Sequence, residues 1–176
     1  IKTVPLLSAK KSLIIANISE DEIAQDVYTT NPHVAALVQR FGKDRVIPVC
    51  AKVAYELSML PPAQAQEMME FFGLNEPSLH TIIRQTYSNL GLITFFTCGP
   101  KEIHAWPLLR NTPIKKAAGE IHSDLERGFI CAEVFNTQDL FSLGSIAAVK
   151  EKGKIKTEGH DYIVRDGDII NVRFNV

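Results

Sequence analysis

The sequence predicts an α/β protein in two parts: a parallel-sheet unit over residues 1–89 and a small mixed sheet gripping one helix over residues 90–176. Three observations predict this. The apolar runs "SLIIAN" and "RVIPVC" flank a helical pattern at the spacing of a strand–helix–strand unit, which calls for parallel strands. Gly91 follows a helical run and is a natural stop. Beyond Gly91 the pattern becomes a hairpin, a helix and further short strands.

Taken in order, residues 11–17 read as a buried strand, a short β-branched run bounded by polar residues. "NPHVAALVQRFGKD" reads as a helix. Pro32 suits its first turn, Val34, Leu37, Val38 and Phe41 share one face, and Gly42 can end it. "RVIPVCA" is the next buried strand. Residues 61–72 form an amphipathic helix opening with two prolines, "GLNEPSL" is a loop, and residues 79–90 are helical. "LITFFTCG" and "EIHAWPLL" then make a hairpin joined by Gly99-Pro100. Thr112-Pro113 opens a helix through Ile121. "HSDLERGF" is a polar connection in which Gly128 lets the chain turn. "FICAEVF" is a strand, and residues 137–150 are helical with a weak spot at Gly144. "GKIKTEG", "DYIVRDG" and "DIINVRFNV" are short strands, with Asp166-Gly167 as a hairpin turn.

Composition narrows the function classes. The chain is 45% hydrophobic and 22% charged, ordinary for a globular protein. A net charge of −1 gives no global field for nucleic acid, so DNA is not an expected partner. No apolar run is long enough to cross a bilayer, and no membrane partner is expected. No signal-peptide pattern opens the chain. Cys50, Cys98 and Cys131 form no CxxC pair and read as small buried hydrophobes in a reducing cytosol. The first residue is Ile1, not Met, and the expectation is a fragment whose preceding portion lies elsewhere.

Two constellations carry chemistry. "IIANISE" places Asn17 and Glu20 just past a strand, and "PVCAK" leaves the next strand at the same edge, where parallel α/β sheets bind ligands. An Asn amide offers a donor and an acceptor, so it can hold a purine edge or pin a loop. The order Asn17-Ile18-Ser19-Glu20, then "PVCAK", resembles the NKxD and SAK motifs of P-loop GTPases, changed to NxxE. In NKxD the Asp accepts from guanine N1–H and its amino group; adenine lacks that N1–H, so a changed carboxylate can favour ATP. This order resembles the YchF, or Obg-like ATPase, family. The resemblance implies the C-terminal part of a Ras-like P-loop domain over 1–89. It implies that Asn17, the backbone beside Ile18, and Glu20 meet the adenine, while the backbone of Cys50 and Ala51 closes the other side. No GxxxxGK[ST] loop occurs in these 176 residues, so hydrolysis by this chain alone is not expected. ATP and Mg²⁺ are expected of the whole protein, their phosphate and metal ligands lying outside this stretch.

The second constellation is "GLITFFTCGPKEIHAWPL", "AAGEIHSDLERGFICAEV" and "EGHDYIVRDGDIINVRFNV". Together they look like the TGS domain that ends YchF proteins, a ubiquitin-like β-grasp module also found in threonyl-tRNA synthetase and stringent-response enzymes. Arg110-Asn111 stands where a Gly-containing turn is common, and His160 where Lys is common. The resemblance implies a cytoplasmic, ribosome-associated ATPase that couples ATP state to ribosome or ribosomal RNA binding.

Candidate docking residues are Lys115, Lys116, His122, Arg127, Lys152, Lys154 and Lys156. Residues 90–176 carry eleven basic and eleven acidic side chains, so only clustering can favour phosphates. The lysines also fit a protected strand edge. His122 with Asp124 has the makings of an acid–base pair, but no well-placed nucleophile accompanies it, and a structural or docking loop is the reading. Phe95, Phe96 and Trp106 read as core rather than base-stacking platforms. A rival function is a stand-alone RNA- or protein-docking module in which the strand–helix–strand unit is only scaffold.

Overall fold

β-Branched Ile14 and Ile15 begin β1 (Ile14–Asn17), and a 3-10 turn follows at Glu20–Glu22. The computed structural model describes residues 6, 10–99 and 102–175, which form two units meeting in sequence at Leu90 and Gly91. Much of the opening stretch and Pro100 of the hairpin turn therefore lie outside the described residues.

After β1 come α1 (Val27–Thr30) and α2 (Pro32–Phe41). Asn31 caps α2, its side-chain oxygen accepting from the His33 and Val34 amides. Gly42 ends it at φ 89°, donating to the Val38 carbonyl. β2 (Val46–Val49) pairs parallel with β1, Asn17 opposite Val49, so both strands end at one edge. Val34, Leu37, Val38 and Phe41 pack with Ala16 and Val46.

β1 is not the buried strand expected. It starts at Ile14, and only Ala16 is buried; Ile15 is 52% exposed. Its register partner Ile47 on β2 is buried, so the open side chain belongs to β1 and not to the whole face of the pair.

The sequence reading also missed α3 (Ala51–Met59), whose Val53 and Leu57 meet Ala65 and Met68 of α4 (Pro62–Phe71). α5 (Ser78–Leu90) ends the unit with Leu79, Ile83 and Leu90 exposed. Its Asn89 is tied to Lys11 and Ser12.

In the second unit β3 (Leu92–Cys98) and β4 (Ile103–Leu109) form the expected hairpin. Between them Trp106 lies over Phe95 and donates to Thr97 Oγ1 at 3.0 Å, a core contact. Asn111 takes φ 64°, the conformation a glycine would supply, which an Asn tolerates. α6 (Ile114–Ile121) follows Pro113. The connection "HSDLERGF" is not plain loop: it holds α7 (Ser123–Arg127). β5 (Phe129–Asn136) comes next. Residues 137–150 are two helices, α8 (Thr137–Leu143) and α9 (Ile146–Glu151), broken at Gly144 with φ 78°. β6 (Lys156–Glu158) and β7 (Asp168–Phe174) complete the order β4-β3-β7-β5-β6.

Adjacent residues of each strand face opposite sides. Phe95, Val134 and Ile170 pack with α6 residues Ile114, Ala117 and Ala118. Phe96, Phe135 and Ile169 pack with Leu140, Leu143 and Val149 of α8 and α9. Five strands gripping α6 form a β-grasp, as the sequence predicts.

Two local readings are corrected. "DYIVRDG" is no strand; it makes one isolated bridge, Ile163 to Pro113. Asp166-Gly167 joins no hairpin. The Asp166 carboxylate accepts from the Thr94 amide and the Gly167 amide donates to the Thr94 carbonyl, both at 2.8 Å, so the turn clasps β3. Gly128 has φ −91°, open to any residue. Its role is room: an added Cβ would sit 2.1 Å from the Asn175 carbonyl oxygen.

Candidate functional site

The parallel pairing of β1 and β2 brings Asn17 and Cys50 to one edge, and side chains then lock the two loops. Asn17 Oδ1 accepts the Ala51 amide at 3.0 Å. The Ile18 amide donates to the Val49 carbonyl at 3.0 Å. Glu20 receives Lys52 Nζ at 2.6 Å. Asn17 thus acts across the gap between strand tips and keeps its amide donors exposed.

The five predicted base-site residues do not play equal parts. Ile18 and Cys50 turn inward to packed apolar clusters, leaving only their backbones to the edge. The Cys50 carbonyl takes the Ala54 amide, the first turn of α3. Ala51 spends its amide on Asn17, so it positions that side chain. A cavity of about 200 Å³ lies beneath, lined by Ile18, Tyr28, Cys50 and Val53, but Asn17, Glu20 and Ala51 are not among its lining residues. The edge itself is an open shelf of polar groups: the Asn17 amide, the Glu20 carboxylate and the Lys52 ammonium.

Glu22, which sequence reading passed over, stiffens the loop. One carboxylate oxygen accepts the Ser19 amide at 2.9 Å and hydroxyl at 2.8 Å; the other accepts from Asn31 at 2.7 Å. These bonds, the Ser19 amide first, hold its pKa below the usual value. The signal was present as Ser19-x-x-Glu22, a capping-box spacing. Lys52 is raised, chiefly by its hydrogen bond to Glu20.

The predicted docking residues fall into two groups along the chain of the second unit. Lys115, Lys116, His122 and Arg127 sit on or beside α6 and α7, Lys152 caps α9, Lys154 meets α8, and Lys156 lies on edge strand β6. Several are already paired: Lys116 with Glu126 at 2.9 Å, Arg127 with Asp124, and Lys154 with Asp139 at 3.4 Å. Glu126 raises Lys116 through the same bond. Lys115, Lys152 and Lys156 have no carboxylate within 4 Å among the described residues.

His122 caps α7, its Nδ1 accepting the Asp124 amide at 3.2 Å. That bond gives it a capping role, and among the described residues no nucleophile is hydrogen-bonded to its ring. Lys154 and Lys156 also line a polar cleft of about 420 Å³ with Arg165, which sequence reading did not single out. At its floor Asp168 is 3% exposed. It accepts from Tyr162 Oη and the Arg165 amide, each at 2.9 Å, and from Asn136 at 3.3 Å. Burial and this bond push the Tyr162 pKa up to about 12.

Residues 92–175 match the family model YchF-GTPase_C, described as a protein of unknown function. The whole chain is 42% identical to the ribosome-binding ATPase YchF of Bacillus subtilis, covering 48% of that protein. It is 39% identical to Obg-like ATPase 1 of Oryza sativa subsp. japonica, covering 44% of it. The solved Schizosaccharomyces pombe YchF GTPase superposes with a TM-score of 0.81 at 30% identity, over 96% of this chain and 44% of that one. The chain thus spans about half the length of the curated relatives it matches.

Proposed function

Because the chain belongs to the YchF family of Obg-like ATPases, we propose that its first unit reads the base in an ATP site and its second, a TGS domain, docks to the ribosome. The relatives' names, ribosome-binding ATPase and Obg-like ATPase, support both halves of this reading. In a whole cytoplasmic protein of the relatives' length, bound ATP with Mg²⁺ would supply a phosphoanhydride whose hydrolysis could switch the protein between states.

This chain's own residues have narrower tasks. Asn17 presents an amide to the purine edge, and the Ala51 amide holds it there. Glu20, in place of the Asp of NKxD, lies against Lys52, so only one of its oxygens is without a partner for guanine's two donors. None of the 176 residues forms a GxxxxGK[ST] loop, so phosphates and Mg²⁺ would be held by residues outside this stretch. The docking surface comprises Lys115, Lys116, His122 and Arg127 on or beside α6 and α7 and Lys152, Lys154 and Lys156 at the other helix pair and edge, with rRNA phosphate as the matching chemistry.

The observation that carries the reading is the 3.0 Å bond from the Ala51 amide to Asn17, which joins the two loops at the carboxyl end of parallel strands. The test is titration of the full-length protein with ATP and GTP. Wild type is expected to bind ATP more tightly, and Asn17→Ala to weaken ATP about tenfold or more while the fold persists. A clear GTP preference rejects the reading. So does measurable turnover by the 176-residue chain alone, which would call for another phosphate site.

A further inference from the structure

We infer that Lys52 is a specificity-determining residue: by occupying the Glu20 carboxylate it withholds guanine's partner and favours adenine. This rests on the base-site reading above and adds a residue and a cause to it.

The geometry is direct. Lys52 Nζ lies 2.6 Å from Glu20 Oε2, across 32 positions of sequence, and follows Ala51, whose amide fixes Asn17. The three residues thus form one assembly: Asn17 held by Ala51, Glu20 held by Lys52. Guanine presents two neighbouring donors, N1–H and its amino group, which suit a carboxylate with both oxygens free. With Oε2 engaged by an ammonium, only Oε1 remains unencumbered. Binding guanine in the two-pronged manner must share Oε2 with the ammonium, whose positive charge disfavours a second donor there, or open the pair. Adenine has no N1–H and makes no such demand. The cost falls on GTP alone, which is how a repulsive or occupied element creates specificity.

The size of the effect is bounded. Side-chain exposures are 67% for Lys52 and 41% for Glu20, so the pair is a solvent-screened one. Opening such a pair corresponds to a change of about two- to fivefold in affinity. It also weakens as salt screens the charges.

The experiment measures ATP and GTP dissociation constants of the full-length protein by competition with a fluorescent nucleotide. Lys52→Met is expected to tighten GTP about two- to fivefold and to alter ATP less. Lys52→Arg, which can keep the pair, retains the wild-type ratio. In a Glu20→Gln background, Lys52→Met has no further effect on the ratio. Raising ionic strength narrows the ATP preference of wild type but not of Lys52→Met. If wild type prefers ATP and Lys52→Met leaves the ratio unchanged, this inference fails while the base-site reading stands. If wild type shows no ATP preference, the base-site reading fails and takes this inference with it.

Discussion

Phe95 and Ile15 are both apolar residues in short strands, yet Phe95 is fully enclosed and Ile15 is 52% exposed. The contrast extends to the units that hold them. Around Phe95, the buried cluster draws on β3, β4, β5, β7 and α6, and Ile114, Ala117 and Ala132 lose all exposure. Around β1, each cluster holds three buried residues, and α2 covers one side of the strand pair. The second unit is organised by its core. The first is organised by polar cross-links at a strand edge: Asn17 to Ala51, Glu20 to Lys52, Glu22 to Asn31. A unit built on a core and an open strand edge tied by side chains use different proportions of these two kinds of contact.

The largest expected effects lie in the core. Phe95→Ala should cost the second unit about 3–5 kcal/mol, while Ile15→Ala in the first costs about 0.5 kcal/mol or less. Urea denaturation reads the first change through Trp106, the sole tryptophan, and the second through helical circular dichroism. Equal losses would break the contrast.

Gly128→Ala comes next. The new Cβ meets the Asn175 backbone, where the Asn175 amide donates to the Gly128 carbonyl at 2.9 Å. A cost of about 1–3 kcal/mol is expected, with faster hydrogen exchange at Asn175. An unaltered melting temperature would mean the β5–β7 end can yield.

The pH response sharpens the comparison. Tyr162 is raised to about 12 in the folded second unit, by burial and by its bond to Asp168, against about 10 unfolded. The folded state keeps its proton where the unfolded state has lost it. That contribution is fully present below pH 10 and disappears as pH rises to about 12. The second unit's unfolding midpoint should therefore fall between these values, and Tyr162→Phe should flatten the fall.

In the first unit Glu22 behaves oppositely. Its folded pKa is lowered, so its contribution is present above the ordinary carboxylate value near 4.5 and lost as pH drops through the folded value. Exchange of the Ser19 amide should quicken on acidification, and Glu22→Gln should remove most of that dependence. This is the smallest effect, because the group is solvent-exposed.

What was legible followed from local rules. The Val34–Leu37–Val38–Phe41 face and the Gly42 stop gave α2 within a residue or two. The Asn17 and Glu20 motif was visible from residue order. α3 escaped because its apolar residues are spread around the cylinder and Cys50 gives no side-chain cap as a start signal. α7, at five residues, is too short for periodicity to register. Asp166-Gly167 has the letters of a hairpin turn, but Asp168, drawn into the core by Tyr162 and Asn136, carries the turn onto β3 instead.

The amino-acid order by itself determined helix α2, the β3–β4 hairpin, the stops at Gly42 and Gly91, and which side chains stand at positions 17 and 20. Those depend on interactions a few residues long. Only the tertiary structure decided who meets whom: Lys52 with Glu20, Ala51 with Asn17, Thr94 with Asp166, and the Asn175 backbone against Gly128. Such meetings span 32 to 72 positions in the hydrogen-bonded pairs. They are set by strand register and packing, since a shift of one residue turns each strand side chain to the opposite face.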